Sequence, residues 1–452
     1  MPNLIQLRLA AREIFDETLV AVDAGAAVRR AIRLDGVHLS ADATTIDIGN
    51  RKIYSVAIGK AAFTMAYALE QTLRDSFTAG LMSGPHVQTP DQMPVWNLNS
   101  RWRQFDGGHP LPNETSLLAA TEAFRLLQRA NEERALVIFL ISGGGSAMLE
   151  WPINDEITLA DLKAANKTLV NCGASISEIN AVRRAFSAVK GGRLAMHAQN
   201  CDQITMIVSD VPPGEERNVA SGPTLAPPDD AVTATEVIDG YDLRAQLPEA
   251  VMRAVENNPE TAGYDSISLR QHFVLLDNQS ALEAAAVAAN RRGLTTETAD
   301  DITDQPIEEG CRQLVRRLNS LRDQTKATHS RASNVVCLIS GGEFACPVRG
   351  EGLGGRNMET ALRLATDHSL PSSAPFVALC AGTDGIDGNS PAAGAIVDST
   401  SSERARAIGL DPQDFLDRSD AYSFFVAVGD AIATGPTGTN LRDIRVLLST
   451  FE

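Results

Sequence analysis

The sequence predicts an α/β protein of two domains, on three observations. Short apolar runs alternate with amphipathic helical stretches, the β, α, β order that builds a mostly parallel sheet with helices on both faces. Two of those runs break at the same signal: Phe139-Leu-Ile-Ser-Gly-Gly-Gly-Ser-Ala147 and Cys337-Leu-Ile-Ser-Gly-Gly-Glu-Phe-Ala345 agree at six of nine positions. The length of 452 residues exceeds the ~150 expected of one domain. An apolar run that ends in glycines is how such a sheet brings its backbone up to a ligand, so two copies suggest two sheets serving one site.

Residues 4 to 34 read as two helices, with Leu7, Ile14 and Leu19 set among charged residues. Lys52 to Ile58 is a buried strand, and Gly59-Lys60 turns it into the alanine-rich helix Ala61 to Leu73. Thr78 to Met82 is the next strand. Asp106 to Pro112 is a loop, and Asn113 caps a helix to about Arg129. Ala135 to Ile141 is the strand that ends at the first Ser-Gly-Gly. Thr158-Leu-Ala-Asp161 is a capping box, a second helix spans Ile176 to Val189, and Gln203 to Val208 is a strand leading to Ser209-Asp210.

Pro, Asp and Glu then accumulate, which places a connector around Pro227-Pro228 and across 240 to 265, and hence domains at 1–240 and 241–452. The strand His272 to Leu276 and the helices Ser280 to Arg291 and Pro306 to Leu321 follow, then a polar surface loop from Arg322 to Ser333. Val335 to Ile339 is the second Ser-Gly-Gly strand, Arg356 opens a helix to about Thr366, and Phe376 to Cys380 is a strand ending at Thr383-Asp384-Gly-Ile-Asp387-Gly388.

Composition narrows the partners. Hydrophobic residues at 44% and charged residues at 21% suit a folded globular chain with a large core. A formal charge of -17 argues against nucleic acid or an anionic membrane as partner. Six cysteines without a Cys-x-x-Cys read as reduced, buried thiols of a cytoplasmic protein. The N-terminus reads as an amphipathic helix rather than a signal peptide, and no run reaches the ~18 apolar residues of a membrane span.

Several clusters can carry chemistry. Gly59-Lys60 sits at a strand-to-helix turn, where free N–H groups and a lysine attract anions, although G-x-x-x-x-G-K-[ST] is absent. Ser142, Gly143, Gly144, Gly145 and Ser146 offer a run of backbone donors and two hydroxyls, suited to phosphate. Asp210, Asp384 and Asp387 follow strand ends, where carboxylates hold Mg²⁺ on substrate phosphates or take a hydroxyl proton. Gly350-Glu-Gly-Leu-Gly-Gly355 satisfies G-x-G-x-x-G, but Pro347 and Arg349 separate it from any buried strand. Arg356 can grip a carboxylate or phosphate with a bidentate fork, His109 can orient a substrate, and Gly435-Pro-Thr-Gly-Thr-Asn440 can form another wall.

Taken in order, these segments resemble the class II glycerate 2-kinase family, also labelled hydroxypyruvate reductase or MOFRL-domain protein. The matching stretches are Ile58 to Ala62, Gly107 to Pro110, Ile141 to Ala147, Ser209 to Val211 with Ala220 to Thr224, Ser340 to Glu343, Gly354 to Asn357, Gly382 to Gly388 and Gly435 to Asn440. The resemblance implies an N-terminal Rossmann-like domain, a smaller C-terminal α/β domain and an active cleft between them. It also implies ATP-dependent, Mg²⁺-assisted phosphorylation of D-glycerate at its 2-hydroxyl. By the same resemblance Lys60 and Arg356 are active-site residues, and His109, Glu343 and Asn357 are assigned to the substrate. Asp210 is grouped with Lys60 and Arg356 as catalytic, and Asp384 and Asp387 with the metal, while the residues alone leave open which aspartate binds metal and which is the base. The alternative is an NAD(P)H-dependent hydroxypyruvate reductase, supported only by the glycine match at 350–355. The chain departs from the family pattern at Pro212-Pro-Gly-Glu-Glu216, at Asn389-Ser-Pro391, at Asp106 and at Arg442, which replaces a usual Asn.

Overall fold

The computed structural model describes residues 3–42, 44–85, 98, 100–228, 230–257, 269–327, 334–367 and 375–451. It divides into two compact units, residues 24–275 and a second made of residues 1–23 with 276–452. The first helix, α1 (Leu4–Ala21), therefore belongs with the C-terminal half. Its Arg8 pairs with Asp398 and Asp430, and Arg292 reaches back to its Glu13 and Glu17.

The 24–275 unit is built on a six-stranded sheet: β1 (Ile53–Ile58), β2 (Phe77–Gly84), β3 (Trp102–Asp106), β4 (Leu136–Ser142), β5 (Asp202–Val208) and β6 (Arg270–Leu276), in the order β3-β2-β1-β4-β5-β6. The pairings β1 with β2, β1 with β4, β2 with β3 and β4 with β5 are all parallel. Every residue of β1 and β4 is buried, as a parallel strand covered on both faces requires. Helix α2 (Ala62–Leu73) follows β1, and α3 (Glu114–Glu132) is capped by Asn113, which accepts from the Ser116 N–H as its spacing predicts. A three-stranded antiparallel meander over residues 32–47 precedes the sheet, and a separate core gathers Leu162, Leu169, Val182, Phe186 and Val251. Within that core lies α4 (Ile176–Phe186), capped by Ser175.

The unit extends past residue 240, so the expected boundary at 240/241 is corrected. Leu243, Leu247, Val251 and Val255 are buried with Val182 and Phe186, and β6 completes the sheet. Apolar burial, not the polar composition of 240–265, decides which unit this stretch joins. Residues 258–265 of the predicted connector and 328–333 of the predicted loop lie outside the described residues.

The second unit carries a mixed six-stranded sheet of β7 (Thr295–Ala299), β8 (Val335–Ser340), β9 (Phe376–Gly382), β10 (Gly394–Asp398), β11 (Ala431–Ile432) and β12 (Asp443–Thr450), in the order β7-β8-β12-β9-β10-β11. Only β7 with β8 is parallel; the C-terminal β12 lies antiparallel between β8 and β9. Helices α5 (Ile307–Ala327) and α6 (Arg356–Thr366) cover it, so 322–327 is helix rather than the expected loop. All six cysteines are free, and burial pushes the Cys311 thiol up to about 12, which leaves it protonated and inert. None of the described helices is long and apolar enough to cross a membrane.

Candidate active site

In the 24–275 unit, three neighbouring strands end level with one another. Ile58 pairs with Ile141 and Ser142 with Val208, so Gly59-Lys60, Ser142 to Ser146 and Ser209-Asp210 emerge together at the carboxyl edge. Gly59 has φ +110°, and a Cβ there would lie 2.3 Å from the Ser142 carbonyl oxygen, so no other residue fits. The Lys60 N–H donates to the Gly143 carbonyl at 2.9 Å. Ser142 Oγ accepts from the Ala61 N–H at 3.0 Å and donates to the Ile58 carbonyl at 3.2 Å. Its hydroxyl is fully buried and locks the two turns together.

The next residues are placed for a ligand. A Cβ on Gly143 would lie 1.9 Å from Asp210 Oδ2, which puts that carboxylate directly against the turn. A Cβ on Gly144 would lie 3.3 Å from Lys60 Cγ and 3.4 Å from His109 Cε1. Lys60, His109 and Asp210 thus surround one glycine turn. The N–H groups of Gly143, Gly144, Gly145 and Ser146 donate to no acceptor among the described residues. Four such donors beside a lysine and a carboxylate form a cradle for an anion that arrives with a cation.

In the second unit the centre is Arg356, the first residue of α6. Its Nε donates to Asp443 Oδ2 at 2.7 Å and its Nη2 to Asp443 Oδ1 at 3.3 Å, while Nη2 also lies 2.8 Å from Glu343 Oε1. Burial opposes the guanidinium's charge, but Asp443 and Glu343 outweigh it and hold its pKa above the ordinary arginine value. Asn357 Nδ2 bridges Asp443 Oδ1 at 2.8 Å and Asp387 Oδ1 at 3.2 Å. Behind Asp443 sits the fully buried Arg445, stacked 3.6 Å from the Phe344 ring centroid and donating to Ser340 Oγ at 3.2 Å.

Asp387 holds the start of α6. Its carboxylate accepts from the N–H groups of Asn357 at 3.1 Å and Met358 at 2.8 Å, capping α6 and fixing the helix start that presents Arg356. Burial pushes its pKa up to about 7, with the Asp443 charge adding to the rise and the two N–H bonds opposing it. Each oxygen of Asp387 therefore accepts one backbone N–H of α6. Asp384 Oδ1 accepts from the Ile386 N–H at 3.1 Å, and the 435–440 turn packs on it: Thr437 N–H donates to the Asp384 carbonyl at 3.2 Å and Thr437 Oγ1 to the Thr383 carbonyl at 2.5 Å.

The glycine match at 350–355 lies in the long connection between β8 and α6. Leu353 N–H donates there to Asp420 Oδ1 at 3.0 Å. It is not the tight strand-to-helix turn that a dinucleotide needs. A cavity of about 370 Å³ in the 24–275 unit, lined by Ala181, Arg184, Gly191, Arg193, Pro228 and Val255 among others, contains none of the expected site residues.

Comparison with known proteins places the chain. Residues 10–256 match a family described as a domain of unknown function (DUF4147), and residues 336–443 match the MOFRL family. A glycerate 2-kinase of Pyrococcus horikoshii is 32% identical over 453 residues, which cover 99% of this chain and 98% of that protein. The chain belongs to the glycerate 2-kinase family. The crystal structure of a Thermotoga maritima glycerate kinase matches with a TM-score of 0.78 at 29% identity, covering 98% of this chain and 99% of that one. An Agrobacterium vitis relative, 36% identical over 395 residues (87% of this chain, 86% of its own), carries the provisional name hydroxypyruvate reductase.

For this glycerate 2-kinase family member, the donor set suits a cation carried on phosphates. Mg²⁺ in phosphoryl-transfer sites keeps several waters and takes one or two carboxylates rather than a protein cage. Among the described residues no group of three or more His, Cys, Asp or Glu gathers as such a cage, whereas the Asp210 carboxylate stands at the glycine turn. Sequence reasoning missed Asp443 and Arg445. The available signal was two charges at alternate positions in the apolar run Asp443-Ile-Arg-Val-Leu-Leu, which places both on one face of a strand.

Proposed function

We propose that this protein transfers the γ-phosphoryl group of ATP to the 2-hydroxyl of D-glycerate. The observation that supports this most is the turn at Gly143 to Ser146, with four backbone donors unspent among the described residues and Lys60, His109 and Asp210 around it. Phosphoryl transfer asks little covalent chemistry of a protein and is catalysed by positioning and neutralisation of charge.

The turn's N–H groups bind the phosphate oxygens. Lys60 places its ammonium on the transferring group, where negative charge must be stabilised. Asp210 holds the nucleotide's divalent cation or accepts the hydroxyl proton. Mg²⁺, when bound, neutralises phosphate charge. Arg356 is kept rigid by Asp443, and its Nη2 meets the half-exposed Glu343, whose place the glycerate carboxylate takes on binding. A coupled assay tests this reading: glycerate-dependent ADP release is expected from purified protein. Hydroxypyruvate-dependent NADH oxidation without ADP release would replace it with a reductase.

A further inference from the structure

Beneath the glycine turn lies a buried polar cluster that the chemistry above does not use. Lys190 and Glu150 are each 1% exposed and paired with one another. Lys190 Nζ also donates to the Ser146 carbonyl at 2.9 Å, and Glu150 Oε1 accepts from Ser187 Oγ at 2.6 Å and the Trp151 N–H at 3.0 Å. The main chain at Ser146 is therefore pinned from below by a buried ammonium.

The Ser146 side chain is pinned too, and with a fixed polarity. Ser146 Oγ and Ser221 Oγ are 2.8 Å apart, and Ser221 Oγ donates to Asn180 Oδ1 at 2.7 Å. Arg183 sets the orientation of that amide. A guanidinium only donates, and its Nη1 lies 3.4 Å from Asn180 Oδ1, while Asn180 Nδ2 faces the Asn218 carbonyl oxygens at 3.3 and 3.2 Å. A hydroxyl has one proton. The Ser221 proton goes to Asn180, so Ser146 is the donor of the Ser146 to Ser221 bond, and its own proton points inward. What the half-buried Ser146 offers on its other side is lone pairs alone.

Lone pairs repel phosphate oxygens and attract a cation. We infer that the Ser146 hydroxyl is a ligand of the nucleotide's divalent cation rather than a donor to phosphate. Arg183, Asn180 and Ser221 are the positioning residues that set its polarity. This rests on the nucleotide reading of the turn. It departs from the sequence expectation, which placed the Ser146 hydroxyl on phosphate.

The test reads metal binding directly. Mn²⁺ affinity of the protein with ADP is measured by electron paramagnetic resonance, and ADP affinity in EDTA by calorimetry, for the wild-type chain, Ser146→Ala and Ser221→Ala. Circular dichroism checks that each variant is folded. The expectation is about a tenfold loss of Mn²⁺ affinity in both variants, the lower end of what disturbing a ligand or its support costs, with ADP affinity in EDTA unchanged. Ser221→Ala leaves the turn untouched and decides the matter if Ser146→Ala does not fold. Loss of ADP affinity in EDTA would make Ser146 a phosphate donor and overturn the inference, as would unchanged Mn²⁺ affinity. Absence of ADP binding to the wild-type chain would instead overturn the nucleotide reading itself.

Discussion

Arg356 and Asp443 form a two-point ion pair, Nε to Oδ2 at 2.7 Å and Nη2 to Oδ1 at 3.3 Å, between the start of α6 and the start of β12. Asp443 is 1% exposed and Arg356 about one third, so the carboxylate is the anchor and the guanidinium the reaching group. A lysine keeps the charge but not the fork. Arg356→Lys is expected to lower kcat/KM for glycerate about 100-fold, the cost of a misplaced binding group, with the KM for ATP unchanged. Steady-state kinetics with each substrate varied in turn would show an effect on ATP instead if Arg356 serves the nucleotide.

Lys60 contributes to the fold through its backbone N–H, which any residue supplies. In Lys60→Ala that N–H is kept, and kcat is expected to fall about 100- to 1,000-fold, as when one charge-stabilising group is removed, with circular dichroism confirming that the variant is folded. Near-normal turnover in a folded variant would remove Lys60 from the mechanism.

Gly143→Ala places a methyl group against the Asp210 carboxylate, 1.9 Å from Oδ2. The side chain of Asp210 must swing away, so activity is expected to fall by about 100-fold or more with the fold retained. Gly240→Ala, where no atom lies within 4 Å, is the control and should change neither activity nor melting temperature.

Asp387 gives a pH dependence with a definite sign. Its ordinary value of 3.8 is raised to about 7, so between those values the folded state binds a proton that the unfolded chain does not. Stability contributed by this group is then present at low pH and is lost as pH rises from about 4 to 7. Asp387→Asn is expected to flatten that part of the stability curve, read from urea midpoints between pH 5 and 8. A wild-type curve that rises through this window on account of Asp387 would contradict the assignment.

Much of this was legible locally. The strands ending at Ile58, Ser142 and Ser340 are buried on both faces and read as continuous apolar runs, and the caps at Asn113 and Thr158 follow from short-range spacing. Lys60 and Asp210 were readable as strand-end residues, and strand ends of a parallel sheet converge; that His109 lies beside the same turn was not readable. What escaped depends on long-range pairing. Nothing in Leu4–Ala21 announces that Arg8 will meet Asp398 and Asp430, and nothing in Asp443–Thr450 announces a central antiparallel strand. Ser142 and Asp387 carry the right chemistry for a ligand. Only the positions of the Ala61, Asn357 and Met358 N–H groups show the structural bonds that their oxygens also accept.

Phosphorus NMR on purified protein with ATP, Mg²⁺ and D-glycerate reads the phosphoryl transfer itself. The expected result is a new phosphomonoester resonance assigned to 2-phosphoglycerate, growing in step with ADP. Unchanged ATP in that tube, with NADH consumed when hydroxypyruvate is supplied instead, would contradict it.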